Sequence, residues 1–292
     1  MHRFFVYRFL VWSAAICVGF SAVLAAAQEL RLPSSATVGE DASISTSGSG
    51  KGTFYLVGPG VSQKRDVTLG EDIHLQGNDL QYAGGYTVMV CSSECQSGSF
   101  FVNPAKTANI AFLVHPSRVP VALGDAVSGV AFPYDKYGNL VLTPETVEFQ
   151  FAAKNAASFS KSVQTRGGIA WFRTASGKSA GTVNVIASIG DVSSKRALQQ
   201  VASEPCNLRI EGQRTAKGIV VQTEPVHDCS GNIVPDGTIV TFTASDAEGK
   251  SSVDAPIKAG IARAQMDTAG PATVTVASGV VMGNELRIGG QP

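Results

Sequence analysis

Two strings in this 292-residue chain have the residue types and spacing of known chemistry. Gly177-Lys178-Ser179-Ala180-Gly181 fits G-x-S-x-G, the sharp turn that lifts a serine nucleophile between a strand and a helix. Here an alternating segment follows instead of a helix, and Thr268-Ala269-Gly270-Pro271-Ala272 occupies the equivalent place in a second, similar stretch, so the string reads as a turn. Ser49-Gly50-Lys51-Gly52-Thr53 has the Gly-Lys of a phosphate-binding loop. Ser45 stands where the first glycine is needed, Gly52 where a Ser or Thr is needed, and a strand-like run follows. His74, His115 and His227 show no metal-ligand spacing and read as exposed loop histidines. No catalytic, cofactor or metal site is expected, although a triad can be drawn from distant positions. A hydrolase in its own right therefore stands third, behind two non-catalytic readings.

Cysteine spacing points to structure as well. Four cysteines follow the N-terminal segment: Cys91, Cys95, Cys206 and Cys229, which allow three pairings in an oxidising compartment. Closeness in sequence favours Cys91–Cys95 and Cys206–Cys229. The second closes a loop of about two dozen residues and contributes about 3 kcal/mol in the chain-entropy model. Zinc is disfavoured, because Cys91-Ser-Ser-Glu-Cys95 lacks the spacing of a knuckle and has no second pair or histidine cluster nearby.

The phrase Asp-x-x-Gly-Asn-apolar-Val occurs twice, as DKYGNLV at residues 135–141 and DCSGNIV at residues 228–234. Asp135 and Asn139, like Asp228 and Asn232, are of types that bond nearby backbone amides, while Gly138 and Gly231 accept positive φ. Such a cluster reverses the chain and sets the register of the next strand. Asp and Asn oxygens also suit calcium. Neither copy supplies enough acids, and Lys136 and Cys229 stand beside the key Asp, so calcium is not the favoured reading.

These turns must be held by strands. Beyond the N-terminal segment, short alternation bounded by Gly, Pro, Asn, Asp and Ser recurs, with no sustained helical period. In the segment TIVTFTA at 238–244, Val240, Phe242 and Ala244 share one face; 93 positions earlier Val147, Phe149 and Phe151 do the same. Gly168-Ile169-Ala170 is echoed by Gly260-Ile261-Ala262, and the strand carrying Val183 and Val185 by the one carrying Val274 and Val276. A terminal strand is expected in each copy, at 193–201 and at 284–290. Order and spacing hold over roughly seventy residues, which marks a repeated fold unit.

The run D-x-x-G-N-x-V, an alternating strand, a Gly-Ile-Ala step and a Val-x-Val strand resembles the bacterial Ig-like group 1 domain of invasin- and intimin-type surface proteins. The resemblance covers residues 105–292 and is closer in the second copy, where Pro235 and Gly237 follow the Gly-Asn; the first has Leu142-Thr143-Pro144 there. It implies an all-β protein of tandem antiparallel β-sandwiches of about 90 to 100 residues each. Residues 28–104 read as a third, divergent Ig-like unit, and Tyr86 in its GGYTVMV strand is a candidate for the corner tyrosine of such folds. The expected organisation is a signal peptide at 1–27 and units at 28–104, 105–203 and 204–292, with short polar connections and little independent tumbling.

Export follows from the N-terminus. Arg3 and Arg8 precede nineteen uncharged residues, 9–27, which end in Ala25-Ala26-Ala27. Cleavage after Ala27 is expected, with an uncleaved membrane anchor as the rival. Ile16 disfavours lipidation at Cys17. The mature part carries 21 bases against 23 acids. With no basic excess, nucleic acid is not an expected partner and membrane contact is expected only if the N-terminal segment stays.

The composition, 44% hydrophobic and 16% charged, is globular. The expected function is an exported, non-catalytic binding or spacer module of the periplasm, cell surface or medium, contacting envelope or surface proteins and adhesion-like in action. The alternative is a polysaccharide- or peptidoglycan-binding accessory of an extracytoplasmic enzyme system, which would need several coplanar exposed aromatics. Barrel, sorting-signal and lectin-tip features of invasin-type proteins are not read here, which favours a component of a larger assembly. Candidate contact residues are Tyr134, Tyr137, Trp171 and Phe172, of which Tyr137 and Trp171 stand where the last unit has Ser230 and Arg263. Adjacent strand positions face opposite ways, so at least one of Trp171 and Phe172 is expected to be buried.

Overall fold

A computed structural model describes residues 29–154 and 156–289; the expected signal peptide lies outside them. The alternation becomes 24 strands among the described residues, with one short 3-10 turn at Gly77–Leu80. They form six sheets arranged as three sandwiches, each with its own apolar cluster.

The first unit comprises β1 (Leu30–Arg31), β2 (Ser35–Thr37), β3 (Ala42–Thr46), β4 (Lys51–Gly58), β5 (Val61–Thr68), β6 (Ile73–Leu75), β7 (Gly84–Cys91) and β8 (Cys95–Asn103). Its sheets run β1-β3-β6 and β2-β8-β7-β4-β5. The second comprises β9 (Asn109–His115), β10 (Arg118–Pro120), β11 (Val127–Tyr134), β12 (Thr146–Ala153), β13 (Ala156–Gln164), β14 (Ala170–Thr174), β15 (Gly181–Ile189) and β16 (Val192–Val201). Its sheets, β9-β11-β14 and β10-β16-β15-β12-β13, repeat the first unit strand for strand. That includes the short second strand, which pairs in parallel with the last one. The first unit lacks the Asp-x-x-Gly-Asn phrase yet has the same topology, so its strand pattern sets the fold.

The third unit comprises β17 (Ile210–Thr215), β18 (Gly218–Thr223), β19 (Ile239–Ser245), β20 (Lys250–Pro256), β21 (Arg263–Met266), β22 (Ala272–Ser278), β23 (Val281–Met282) and β24 (Leu286–Ile288). Its final strand departs from expectation. Instead of one strand at 284–290, β23 and β24 each pair with β22, separated by Gly283-Asn284-Glu285. Gly283 lies against the Leu208 carbonyl, where a Cβ would clash, and the Asn284 amide donates to that same carbonyl. Docking onto the start of the unit breaks the strand.

Alternation places the cores as the sequence requires. Val147, Phe149 and Phe151 on β12 are buried, as are Val240, Phe242 and Ala244 on β19. Phe172 comes across from the opposite sheet, its ring centroid 4.7 Å from Phe149 and 5.0 Å edge-on from Phe151. Each such ring buried contributes roughly 1.5–3 kcal/mol relative to exposure. In the first unit the fully buried Tyr86 donates its hydroxyl to the Tyr82 carbonyl at 2.9 Å, the corner bond expected of it. Burial pushes the Tyr86 phenol above its ordinary range.

The open sides of the first two sandwiches are bridged alike. On edge strand β5, Arg65 stands opposite Phe54 and donates to the His74 carbonyl on β6 at 2.6 Å. On edge strand β13, Lys161 stands opposite Phe149 and donates to the Arg173 carbonyl on β14 at 3.4 Å. Inward-pointing cations of this kind blunt an edge against pairing with another chain. The third unit has Val253 opposite Phe242 at that position.

Candidate functional site

Each Asp-x-x-Gly-Asn phrase folds into a turn around its own carboxylate. The buried Asp135 accepts from the Tyr137 and Asn139 amides through Oδ1, each at 2.9 Å, and from the Ala105 amide through Oδ2 at 3.1 Å. Asp228 repeats this with the Ser230, Asn232 and Ser203 amides at 2.8–3.0 Å. Gly138 and Gly231 hold φ of 85° and 84°, which the turn requires and other residues resist. The carboxylate oxygens thus face N–H donors, an arrangement built for backbone amides and opposed to a cation. Among the described residues no cluster of three or more His, Cys, Asp or Glu could hold a metal.

The asparagine of each phrase reaches into the preceding unit. Asn139 Oδ1 accepts from the Ala83 amide at 2.9 Å and its Nδ2 donates to the Gln81 carbonyl at 3.0 Å. Asn232 does the same with the Ala180 amide and the Lys178 carbonyl, both at 2.8 Å. The G-x-S-x-G string is therefore the backbone socket for Asn232. One phrase builds both joints, joining each unit to the loop before the seventh strand of its predecessor.

The joints differ in reinforcement. At the first, the half-buried Tyr137 ring lies on Gly39 of the first unit, where any Cβ would overlap it, and packs against that unit's core. At the second, Ser230 takes that place and Cys206–Cys229 ties the connecting segment to the turn. Cys91–Cys95 closes the β7–β8 hairpin. Burial of Asp228 pushes its carboxyl up, but bonds from the Asn232 backbone and side chain and from the Ser203 and Ser230 amides outweigh it, so it sits below the usual carboxylate value.

The candidate contact residues separate by position. Phe172 is core, 1% exposed, and Tyr137 belongs to the first joint. Tyr134 is half-buried at the end of β11, opposite Asn109. Trp171 stands out at 65% exposed. Strand register places it beside Val130, which lies beside Leu113, itself 61% exposed. Side chains opposite each other on neighbouring strands lie about 5 Å apart, so the three form one row across the outer face of the sheet. Phe132 flanks the row on β11 and Ile169 flanks it just before β14.

In the third unit the corresponding row is Glu211–Gln222–Arg263. There the Gln222 side chain donates to Glu211 and accepts from Arg263 Nε at 3.1 Å. The same place in the same fold is polar and internally bonded in one unit, apolar and uncovered in the other. Leu113 and Val130 did not emerge as contact residues in the sequence, because their alignment with Trp171 depends on pairing between strands far apart in the chain.

Two of the three histidines lie in strands, contrary to the loop positions expected, while the third stands in a loop at an isolated bridge. His74 is in β6, His115 ends β9, and His227 bridges to Ile233. Strand alternation turns the first two outward. Ser43 Oγ lies 2.9 Å from His74 Nδ1, the one contact among the described residues with a nucleophile–base look. The nearby Asp72 accepts instead from Ser45 Oγ at 2.7 Å.

The class defined by these features is a tandem array of Ig-like β-sandwiches with repeated, bonded joints. No protein-family model and no curated protein matches the sequence. Solved structures do. FdeC, an Escherichia coli adhesin, matches with a TM-score of 0.62 at 14% identity over 90% of this chain and 97% of that one. Invasin, a bacterial integrin-binding protein, matches with 0.51 at 9% over 91% of this chain and 60% of that one. InvD of Yersinia pseudotuberculosis matches with 0.51 at 11% over 89% and 96%. The likeness to invasin-type proteins expected from the Asp-x-x-Gly-Asn phrase is thus a likeness of structure, and it spans the divergent first unit as well.

Proposed function

We propose that this protein is an exported, non-catalytic binding module of the cell envelope or surface, acting through the middle unit's outer sheet while the flanking units set its reach and orientation. The observation that carries the reading is the uncovered Leu113–Val130–Trp171 row, set against its polar counterpart Glu211–Gln222–Arg263. Contiguous exposed apolar surface on a soluble domain marks an interaction site, and tryptophan is prominent among residues that dominate contact energy. Fixed joints suit such a module, since a rigid array holds its contact face at a set distance from its base. The fold shared with an adhesin and an integrin-binding protein supports adhesion-like action. Of the exposed aromatics, Tyr82 and Phe101 belong to the first unit, and in the second Phe159 stacks on the core ring Phe151 while Trp171 stands on the outer face of the other sheet, so the middle unit's two do not share a stacking platform for a polysaccharide.

The test transplants the third unit's row into the second, as Leu113→Glu, Val130→Gln and Trp171→Arg together. The fold already accommodates that row, so the variant should fold. Labelled mature protein should bind isolated envelopes or intact producing cells saturably, and the triple variant should not. Equal binding by both proteins would remove the basis of the proposal.

A further inference from the structure

Beside the apolar row, a groove of about 760 Å³ runs between the edge strands β13 and β14 of the middle unit. Lys161, Arg166 and Arg173 line it, together with Ile169 and Trp171, and no carboxylate does. The ion pairs among the described residues are Arg31–Glu29 and Arg287–Glu285, so none of the three cations is neutralised by an acid. Lys161 donates to the Arg173 carbonyl, and Arg173 Nε to the Asp125 carbonyl at 3.1 Å, contacts that position the charges without cancelling them.

The same groove in the first unit is mixed, with Lys51 and Arg65 facing Asp66, Glu71 and Asp72. In a chain of formal net charge zero, the middle groove is a local excess of positive charge against an apolar wall.

We infer that the groove and the adjoining row take an acidic, apolar-rich segment of a partner protein, its carboxylates over Lys161, Arg166 and Arg173 and its apolar side chains on Trp171, Ile169 and Leu113. This rests on the reading of the middle unit as the contact unit and adds the chemistry of what it contacts. Charge complementarity sets the sign of the partner. The aliphatic surface of Leu113, Val130 and Ile169 selects a peptide over an anionic glycan, because sugar hydroxyls gain nothing from covering it. The inward Lys161 blunts β13 against strand addition, so the segment is held by its side chains.

The experiment is fluorescence anisotropy on the full mature chain with three probes: a labelled peptide of alternating glutamate and leucine, its lysine–leucine counterpart, and an oligouronate. The glutamate peptide should bind, weaken as salt rises, and lose at least about tenfold in affinity with Arg166→Glu and Arg173→Glu together. Arg263→Glu in the third unit should leave binding unchanged. Binding of the lysine peptide as tight as that of the glutamate peptide, indifference to the double reversal, or no peptide binding would overturn the inference. Oligouronate binding in place of peptide would assign the groove to glycan. The envelope-binding test is independent. If envelope binding is lost with the transplanted row but survives the double reversal, the contact unit stands and the acidic partner falls.

Discussion

Asn232→Ala isolates what one side chain does for the second joint. It removes two bonds to the preceding unit, to the Ala180 amide and the Lys178 carbonyl, both at 2.8 Å. Both partners are solvent-accessible, so water replaces the lost bonds and each is worth about 0.5–1.5 kcal/mol net. Asp228 keeps its three backbone donors, and the turn itself survives. The docked state then loses roughly 1–3 kcal/mol, and 2 kcal/mol shifts the docked-to-undocked ratio about thirtyfold. Spin labels at the exposed Lys195 and Lys217, one in each unit, read this as a distance distribution by pulsed electron resonance. The parent protein should give a narrow distribution and the variant a broad one. A distribution that stays narrow would refute the clamp, even if the melting temperature fell. At the first joint, read by labels at the exposed Lys64 and Lys195, Asn139→Ala alone should broaden the distribution less, because the Tyr137 ring still rests on Gly39; adding Tyr137→Ala should release it.

Cys206→Ser should cost about 3 kcal/mol in urea unfolding, since the disulfide closes a loop with a sequence separation of 23; an unchanged midpoint would discount it. Phe172→Ala should cost about 3–5 kcal/mol, whereas Trp171→Ala should stay within about 1 kcal/mol while removing envelope binding. The Asp228 carboxyl is held below its ordinary value, so its contribution is full above the unfolded value of about 3.9 and is lost as pH falls through the lower folded value. Asp228→Asn should lower stability at neutral pH and flatten the acid limb of the stability–pH curve, and an unaltered acid limb would contradict this.

What the sequence discloses depends on how local the cause is. Phe149 and Phe242 face inward because alternation is a property of one strand, and Trp171 and Phe172 part company for the same reason. Gly138 and Gly231 are legible because positive φ has a residue signature. The Asn139 and Asn232 clamps are not, since their partners are backbone groups more than fifty positions upstream that any residue type would supply. The G-x-S-x-G string could be recognised as a turn but not as a socket. The apolar row is hidden in the same way, because Leu113, Val130 and Trp171 are ordinary strand residues until pairing of β9, β11 and β14 sets them side by side. The break between β23 and β24 arises from Gly283 docking on Leu208, 75 residues away in the chain, and leaves no trace in local alternation.

The most direct test of the middle unit as the contact unit is photo-crosslinking in intact producing cells, with the reactive group placed at Trp171 in one strain and at Arg263 in another. These positions are equivalent in the two units and differ only in the face they share. The account predicts adducts to a discrete set of envelope or surface proteins from position 171 and none from position 263. Equal yields from both, or adducts from position 263 alone, would contradict it.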